Sequence, residues 1–519
     1  MAIFTVSALA LAGYSLAVYV FYTLYQVLAS PLRSVPGPFL ARFTNLWYLY
    51  HLYRGDFQVV NQNLHKKYGA IVRYGPNRYS FNSLDAGKAI YWHGTSFEKS
   101  AWYEAWKNPK QWTLFADRNI RRHAANRRMY QNTYSMSSLI NYEPHVDECA
   151  DLFCTRLNEL AETGLTMNMG HWLQCYAFDV IGAITYSKRL GFLDHGLDVG
   201  NAISALEGFL GYATLTGVYA SIHPYLFAIR NYLAGSKGTG RAYIQAFTKE
   251  CMDKHQANAK VLSKDGKSSS GDAASEEGID AATDFLTKFA LSHTKNPDSF
   301  TVYHIAAGCD QNMAAGSDTT AISLSAIVYY LLKNPACLQK LREEINELRT
   351  AGTISSNKIT FKESQDMPYL QAVMKEALRM HPALGLPLER VVPEGGAVIG
   401  GRLFPENSIV GINTWVEHRN PIVFGTDADE FRPERWFTDD AAKLASMNSH
   451  WVPFGLGSRT CIGRHISMLE MSKLIPRLVR DYDFELAQEL SGTSSTWSTR
   501  NYWFVKPTNF SVKVTMREK

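Results

Sequence analysis

The residues from about Ser299, with Asp298 as a candidate cap, to Lys333 read as one uninterrupted helix that stops before Asn334-Pro335. Roughly 34 residues make a rod about 50 Å long, able to cross the whole core of a soluble body. Midway along it, Ala315-Gly316-Ser317-Asp318-Thr319-Thr320 breaks the helical rules, since glycine inside a helix costs about 1 kcal/mol relative to alanine. Ala315 and Gly316 remove side-chain bulk, so a flat ligand can lie against the backbone. Asp318 and Thr319 put a carboxylate and a hydroxyl beside that gap. Each of these residues taken alone is equally compatible with a solvated polar turn.

Composition points to one large helical body. The chain is 46% hydrophobic and 13% aromatic, which excludes a disordered chain, a collagen or a disulfide scaffold. The formal net charge of +5 is too small an excess to indicate a nucleic-acid partner. Seven cysteines with no C-x-x-C pair suit neither a disulfide framework nor a zinc site, so a functional thiol should act alone. Most long segments carry helical spacing. Short strands are expected at 70–74, 78–81, 397–399, 409–412 and 510–514, and the polar residues 263–278 read as a surface loop. The expected class is mainly α with small β-sheets, in one domain.

Residues 2–28 hold no charged side chain, enough to cross a hydrocarbon layer about 30 Å thick. They lack the basic start and the shorter apolar stretch of a cleaved signal. Arg33, Arg42 and Arg54 follow with no acid before Asp56, a bias that favours a cytoplasmic location for the rest of the chain. Residues 1–30 are therefore expected to form a single transmembrane anchor and 31–38, with three prolines, a stiff non-helical hinge. Residues 39–519 are expected to form one further domain.

The strongest local signal is Phe454-Gly455-Leu456-Gly457-Ser458-Arg459-Thr460-Cys461-Ile462-Gly463. Two glycines before the cysteine permit a tight bend with exposed N–H groups, and Gly463 lets something large approach closely. The helical run that follows puts Cys461 near a helix N-terminus, where the dipole favours a thiolate, and Arg459 adds a fixed charge. Glu376-Ala377-Leu378-Arg379, on a helix beginning near Pro368, sets two opposite charges on one face; Pro433-Glu434-Arg435-Trp436 follows it. Between residues 118 and 128 stand six arginines or histidines. At about 100° per residue, Arg118, Arg121, Arg122 and Arg128 share one helical face and His123 and Arg127 the opposite one.

The pattern Phe-x-x-Gly-x-Arg-x-Cys-x-Gly resembles the haem-binding loop of the cytochromes P-450, and the other motifs stand in the family's order over almost the whole chain. The resemblance implies the cytochrome P-450 fold, with haem b (iron protoporphyrin IX) as cofactor and Cys461 as axial ligand to its iron. Phe454, Gly455, Gly463, Ala315 and Gly316 would frame the haem, and His123, Arg127, Arg390 and Arg459 would hold its propionates. His123 stands where the family carries tryptophan. Thr319 would hydrogen-bond the oxygen and Asp318, with water, would relay protons. Glu376, Arg379 and Arg435 would form a structural charge network, and Trp436, in place of the family's phenylalanine, is not expected to alter the chemistry. The remaining arginines would face an acidic electron donor.

Residues 177–189 are similar to those of fungal, pisatin demethylase-like members. The implied protein is a monooxygenase of fungal secondary metabolism in the endoplasmic reticulum membrane, single-pass, with its catalytic domain in the cytoplasm. Electrons would come from NADPH through a separate flavoprotein reductase, O2 would be co-substrate, and an apolar small molecule would be hydroxylated or oxidatively demethylated. Its pocket is expected among the aromatics between Trp92 and Phe115 and in the regions 206–232, 383–388 and 497–504. A reductase-independent haem-thiolate isomerase or dehydratase, and a non-catalytic haem carrier, are the alternatives; neither has a use for Thr319.

Overall fold

The computed structural model describes residues 2–234, 244–255, 284–354, 358–487 and 497–517; the expected polar loop at 263–278 lies outside them. The central helix runs Val302–Lys333 and begins three residues later than the sequence suggests. Thr301, not Asp298, caps it: the Thr301 N–H donates to His304 Nδ1 at 3.1 Å. The N–H groups of Ser299 and Phe300 are already engaged by Asn296 O, at 3.2 and 2.9 Å, just past the preceding helix Phe285–Lys295.

The helix Met169–Tyr186, buried along nearly its whole length, packs against the central helix. A Cβ on Gly316 would come 3.0 Å from Ile181 Cγ1, so a side chain there would force Ile181 to give by a few tenths of an ångström. The bulk missing at Gly316 therefore lets two helices approach, in addition to opening space for a ligand. Further helices span Ile120–Gln131, Ala202–Gly217, Pro368–Met380 and Arg464–Asp481. One hydrophobic cluster unites all of them around the central rod.

The described strands form four small sheets. Five strands pair in the order 71–75, 78–81, 409–412, 390–391 and 98–99, with 78–81 and 409–412 parallel and the other neighbours antiparallel. In this register Lys99 lies opposite Arg390. Hairpins join 397–399 to 402–404 and 499–502 to 504–507, and the strand Ser511–Met516 lies between 166–168 and 482–486. All five expected strands are present within two residues.

The uncharged N-terminal run forms the helix Ala2–Ala29. Among the residues whose side chains are described, no single helix supplies an apolar stretch long enough to cross a membrane. Residues 31–38 are non-helical and lie strapped to the five-stranded sheet. Leu32 and Val35 are buried in its core, the Arg73 N–H donates to Pro36 O at 2.8 Å, and Arg73 Nη2 donates to Leu32 O at 2.7 Å. Gly37 is required there, because a Cβ would come 2.1 Å from Arg73 O.

Candidate active site

A cavity of about 820 Å³ opens beside the middle of the central helix. Cys461, Phe454, Gly455, Gly463, Ala315, Gly316, Thr319, His123, Arg127, Arg390 and Arg459 all line it, although the sequence scatters them over some 340 positions. The cysteine loop is shaped by its glycines. Gly455 and Gly457 have φ of +76° and +62°, and a Cβ on Gly457 would come 1.7 Å from Tyr91 O, so no other residue fits there. The Cys461 N–H donates to Phe454 O at 2.8 Å, which closes the bend. Burial pushes the Cys461 thiol up; the N–H of Gly463, the charges of Arg127 and Arg464, and the N–H of Arg464 oppose it.

Five basic side chains surround one part of this cavity: Lys99, His123, Arg127, Arg390 and Arg459. Burial, helped by Arg459 and Lys99, pushes His123 down to about 2, so it stays neutral. Burial, with Arg390 beside it, lowers Arg459 to about 10. The nearby acids are already engaged. Glu389 is taken by Arg78, by Ser100 Oγ (2.6 Å) and by the Tyr74 hydroxyl (3.0 Å); Asp117 is taken by Arg122 at 2.8 Å. Among the described residues none of the five makes an ion pair, and Arg459 Nη2 is buried without a hydrogen-bond partner.

This is the donor set that a haem needs: a soft sulfur ligand, an apolar slot and cations without acid partners for two carboxylates. At Gly463 an added Cβ would meet nothing within 4 Å, so the cavity is open beside the cysteine loop. The residues present fit the group. Lys99 is a member that the sequence reading missed. It stands on a two-residue strand with no local pattern to single it out, and only its pairing with Arg390 brings it to the cavity.

On the central helix the Thr319 hydroxyl donates to Ala315 O at 2.8 Å, which leaves its lone pairs to face the cavity. Asp318 is not among the lining residues. It is fully buried; Gln174 donates to its Oδ1 and Lys506 Nζ stands 3.7 Å away. Burial raises its pKa and Lys506 opposes the rise. Three other carboxyls do line the cavity, Asp253, Asp310 and Glu470; burial holds Glu470 far above the usual range.

The expected charge network is built and fully buried. Arg379 binds Glu376 in a two-point clasp, Nε to Oε2 at 2.9 Å and Nη2 to Oε1 at 2.8 Å. Its other donors reach His418 O and Ala428 O, both at 2.7 Å, and Arg435 Nε donates to Glu376 Oε1 at 2.7 Å. Trp436 is no mere change of size, because its indole N–H donates to Glu376 Oε2 at 3.1 Å.

The outward arginines separate in the structure. The arginine helix starts at Ile120, so Arg118 precedes it and donates through Nε to Lys99 O at 2.9 Å. Arg121, Arg122 and Arg128 are exposed. All four regions expected to supply the pocket contribute to the cavity. Tyr103, Trp106 and Phe115 come from the first, Leu206, Phe209 and Leu210 from the second, Ala383, Leu384 and Leu388 from the third, Trp503 and Phe504 from the last. Trp503 forms the tip of the hairpin 499–507 at φ +78°, a strained conformation for a bulky residue. Rings of Trp102, Tyr103, Trp106 and Phe115 hold it, with centroids 4.9–6.0 Å from its own.

Comparison with known proteins agrees with this geometry. The family model "Cytochrome P450" matches residues 36–513. Pisatin demethylase of Fusarium vanettenii is 38% identical over 488 residues, covering 93% of this chain and 89% of its own. The cytochrome P450 monooxygenase cicH of Emericella nidulans is 36% identical, covering 94% of both chains. Monooxygenase gsfF of Penicillium aethiopicum is 33% identical, again covering 94% of both.

Proposed function

The chain belongs to the cytochrome P450 family and is a haem-thiolate monooxygenase, and from that premise we propose that it is a membrane-anchored, reductase-fed enzyme acting on an uncharged, largely apolar metabolite. The observation that carries this reading is the shared cavity, which combines a single thiol, five basic groups without acid partners, a helix hydroxyl and an aromatic wall. The wall of Tyr103, Trp106, Phe115, Trp503 and Phe504 offers ring faces and edges and little charge, which suits an apolar guest.

When bound, the haem would supply a thiolate-ligated iron for monooxygenation, in which O2, two electrons and two protons give one oxygen atom to the substrate and release the other as water. The cofactor is proposed to be haem b, with Cys461 as its iron ligand, stabilised as thiolate by the N–H groups of Gly463 and Arg464. Lys99, Arg127, Arg390 and Arg459 neutralise the two carboxylates, and His123, being neutral, orients one of them by a hydrogen bond. Thr319 keeps its hydroxyl fixed by Ala315 O and presents an acceptor and, by rotation, a donor to the reacting oxygen. Asp318 hands protons toward Thr319. The electrons come from NADPH through a flavoprotein reductase, docked against the exposed Arg121, Arg122 and Arg128.

The membrane reading rests on the helix Ala2–Ala29, whose exposed side chains include Leu11, Val18, Phe21, Leu24 and Leu28 and which carries no charge. It would cross the endoplasmic reticulum membrane once and leave the catalytic domain in the cytoplasm.

The test is a Soret titration of the ferric enzyme with a panel of apolar fungal metabolites, pisatin among them because relatives carry its name, followed by turnover with reductase and NADPH. A saturable spectral shift and substrate-dependent NADPH use are expected. Turnover with peroxide alone, indifferent to NADPH, would reject the reductase-fed reading.

A further inference from the structure

Asp318 has two polar neighbours among the described residues. Gln174, on the helix Met169–Tyr186, donates to Oδ1, and Lys506 Nζ stands 3.7 Å from the same oxygen. Oδ2 accepts no hydrogen bond among the described residues. Lys506 is shared, for the same Nζ pairs more closely with Glu207 Oε1 on the helix Ala202–Gly217. Side-chain exposure falls from 52% at Glu207 to 23% at Lys506 and 0% at Asp318. The three thus form a line from solvent into the core that ends beside Thr319. Both supports of Lys506 also touch the cavity: Trp503 and Phe504 precede it in its hairpin, and Leu206 and Phe209 flank Glu207.

We propose that Lys506 is a positioning residue for proton delivery, holding Asp318 as a carboxylate and tying that state, through its hairpin and the Glu207 helix, to how the cavity is filled. The inference rests on the reading of Asp318 and Thr319 as the proton relay. A relay must both take and release a proton at the working pH. A carboxylate buried this deeply, with one amide donor, retains its proton unless a cation stands near it. Glu207 pushes in the same direction as burial, and Lys506 is the cation that opposes both. Because Nζ lies nearer Glu207 than Asp318, a small movement of the hairpin would change which acid it serves, and a guest against Trp503, which lines the cavity, would supply that movement.

The experiment compares K506M, K506R, D318N and K506M/D318N as full-length, haem-loaded proteins, each first checked for a normal ferrous carbonyl spectrum. Infrared difference spectra over a pH titration identify the carboxyl band that D318N removes. K506M should raise its midpoint by about one to three pH units, and K506R should restore it. Saturating the cavity with the apolar azole clotrimazole should move that midpoint in the wild type and not in K506M. NADPH oxidation with reductase and no added substrate should be slowed several-fold in K506M, with a larger solvent isotope effect, while the double variant is no slower than D318N. An unmoved Asp318 midpoint in K506M, or a full K506M effect on the D318N background, overturns the role of Lys506. A midpoint that ignores clotrimazole in the wild type overturns the link to the cavity. Wild-type rate and isotope effect in D318N overturn the relay reading itself.

Discussion

Trp436 and Gly457 show how much rests on single atoms around the cysteine. Trp436 stands where the family resemblance suggests phenylalanine, and its N–H completes the coordination of Glu376. Trp436→Phe should cost about 1.5–3 kcal/mol, the usual value of a hydrogen bond to a charged group, seen as a lower melting temperature with haem content preserved. Gly457→Ala should be far more severe, because the new Cβ has no room against Tyr91 O and the backbone is left-handed. Loss of the ferrous carbonyl band in the purified variant would register it. The glycines, Cys461 and the Glu376–Arg379 pair were legible because each motif fits within ten residues. The Trp436 hydrogen bond and the place of Lys99 were not, since both depend on partners that only folding brings near.

Among the elements, the helix Met169–Tyr186 shows why its neighbourhood carries a recognisable pattern. Asp179, fully buried, accepts backbone N–H bonds from Leu190, Gly191, Phe192 and Leu193 at 2.8–3.2 Å. One carboxylate thereby satisfies a whole turn of orphan donors and fixes the loop that follows the helix. Asp179→Asn keeps the shape but replaces an acceptor oxygen with a donor, leaving at least one N–H unpaired. A loss of about 2–3 kcal/mol in denaturant unfolding is expected. The central helix was legible from its length and stop signal. Its true cap was not, because Asn296 claims the donors that would have extended it. Asp318 shows the limit of helical reasoning: its position on the rod was right, but its partners Gln174 and Lys506 come from segments remote in the sequence.

For the whole molecule, stability should depend on acid through buried imidazoles that do not line the cavity. Burial, against the pull of the Gly69 carbonyl, holds His65 down to about 4. Burial likewise holds His381 at about 4, against the Val505 carbonyl. In the unfolded chain both take a proton near 6.5. Between those values the unfolded state binds more protons than the folded one, so stability rises with pH across that window and is lost as pH falls from about 6.5 to about 4. Each group contributes on the order of 3 kcal/mol to the loss. Unfolding midpoints measured at several pH values should show this slope, and His65→Gln should flatten it.

The cations around the cavity, which lack acid partners, have a consequence for the life of the protein in a cell. A fold that gathers like charges and leaves them unanswered is held back by its own repulsion until a dianion arrives. Whatever binds only the folded chain stabilises it by mass action. Folding and cofactor loading should therefore be one linked equilibrium. The amount of protein that survives quality control would then follow the supply of haem as closely as it follows the rate of translation. A chain starved of haem during expression should accumulate poorly, and feeding a haem precursor should recover it without any change in the message.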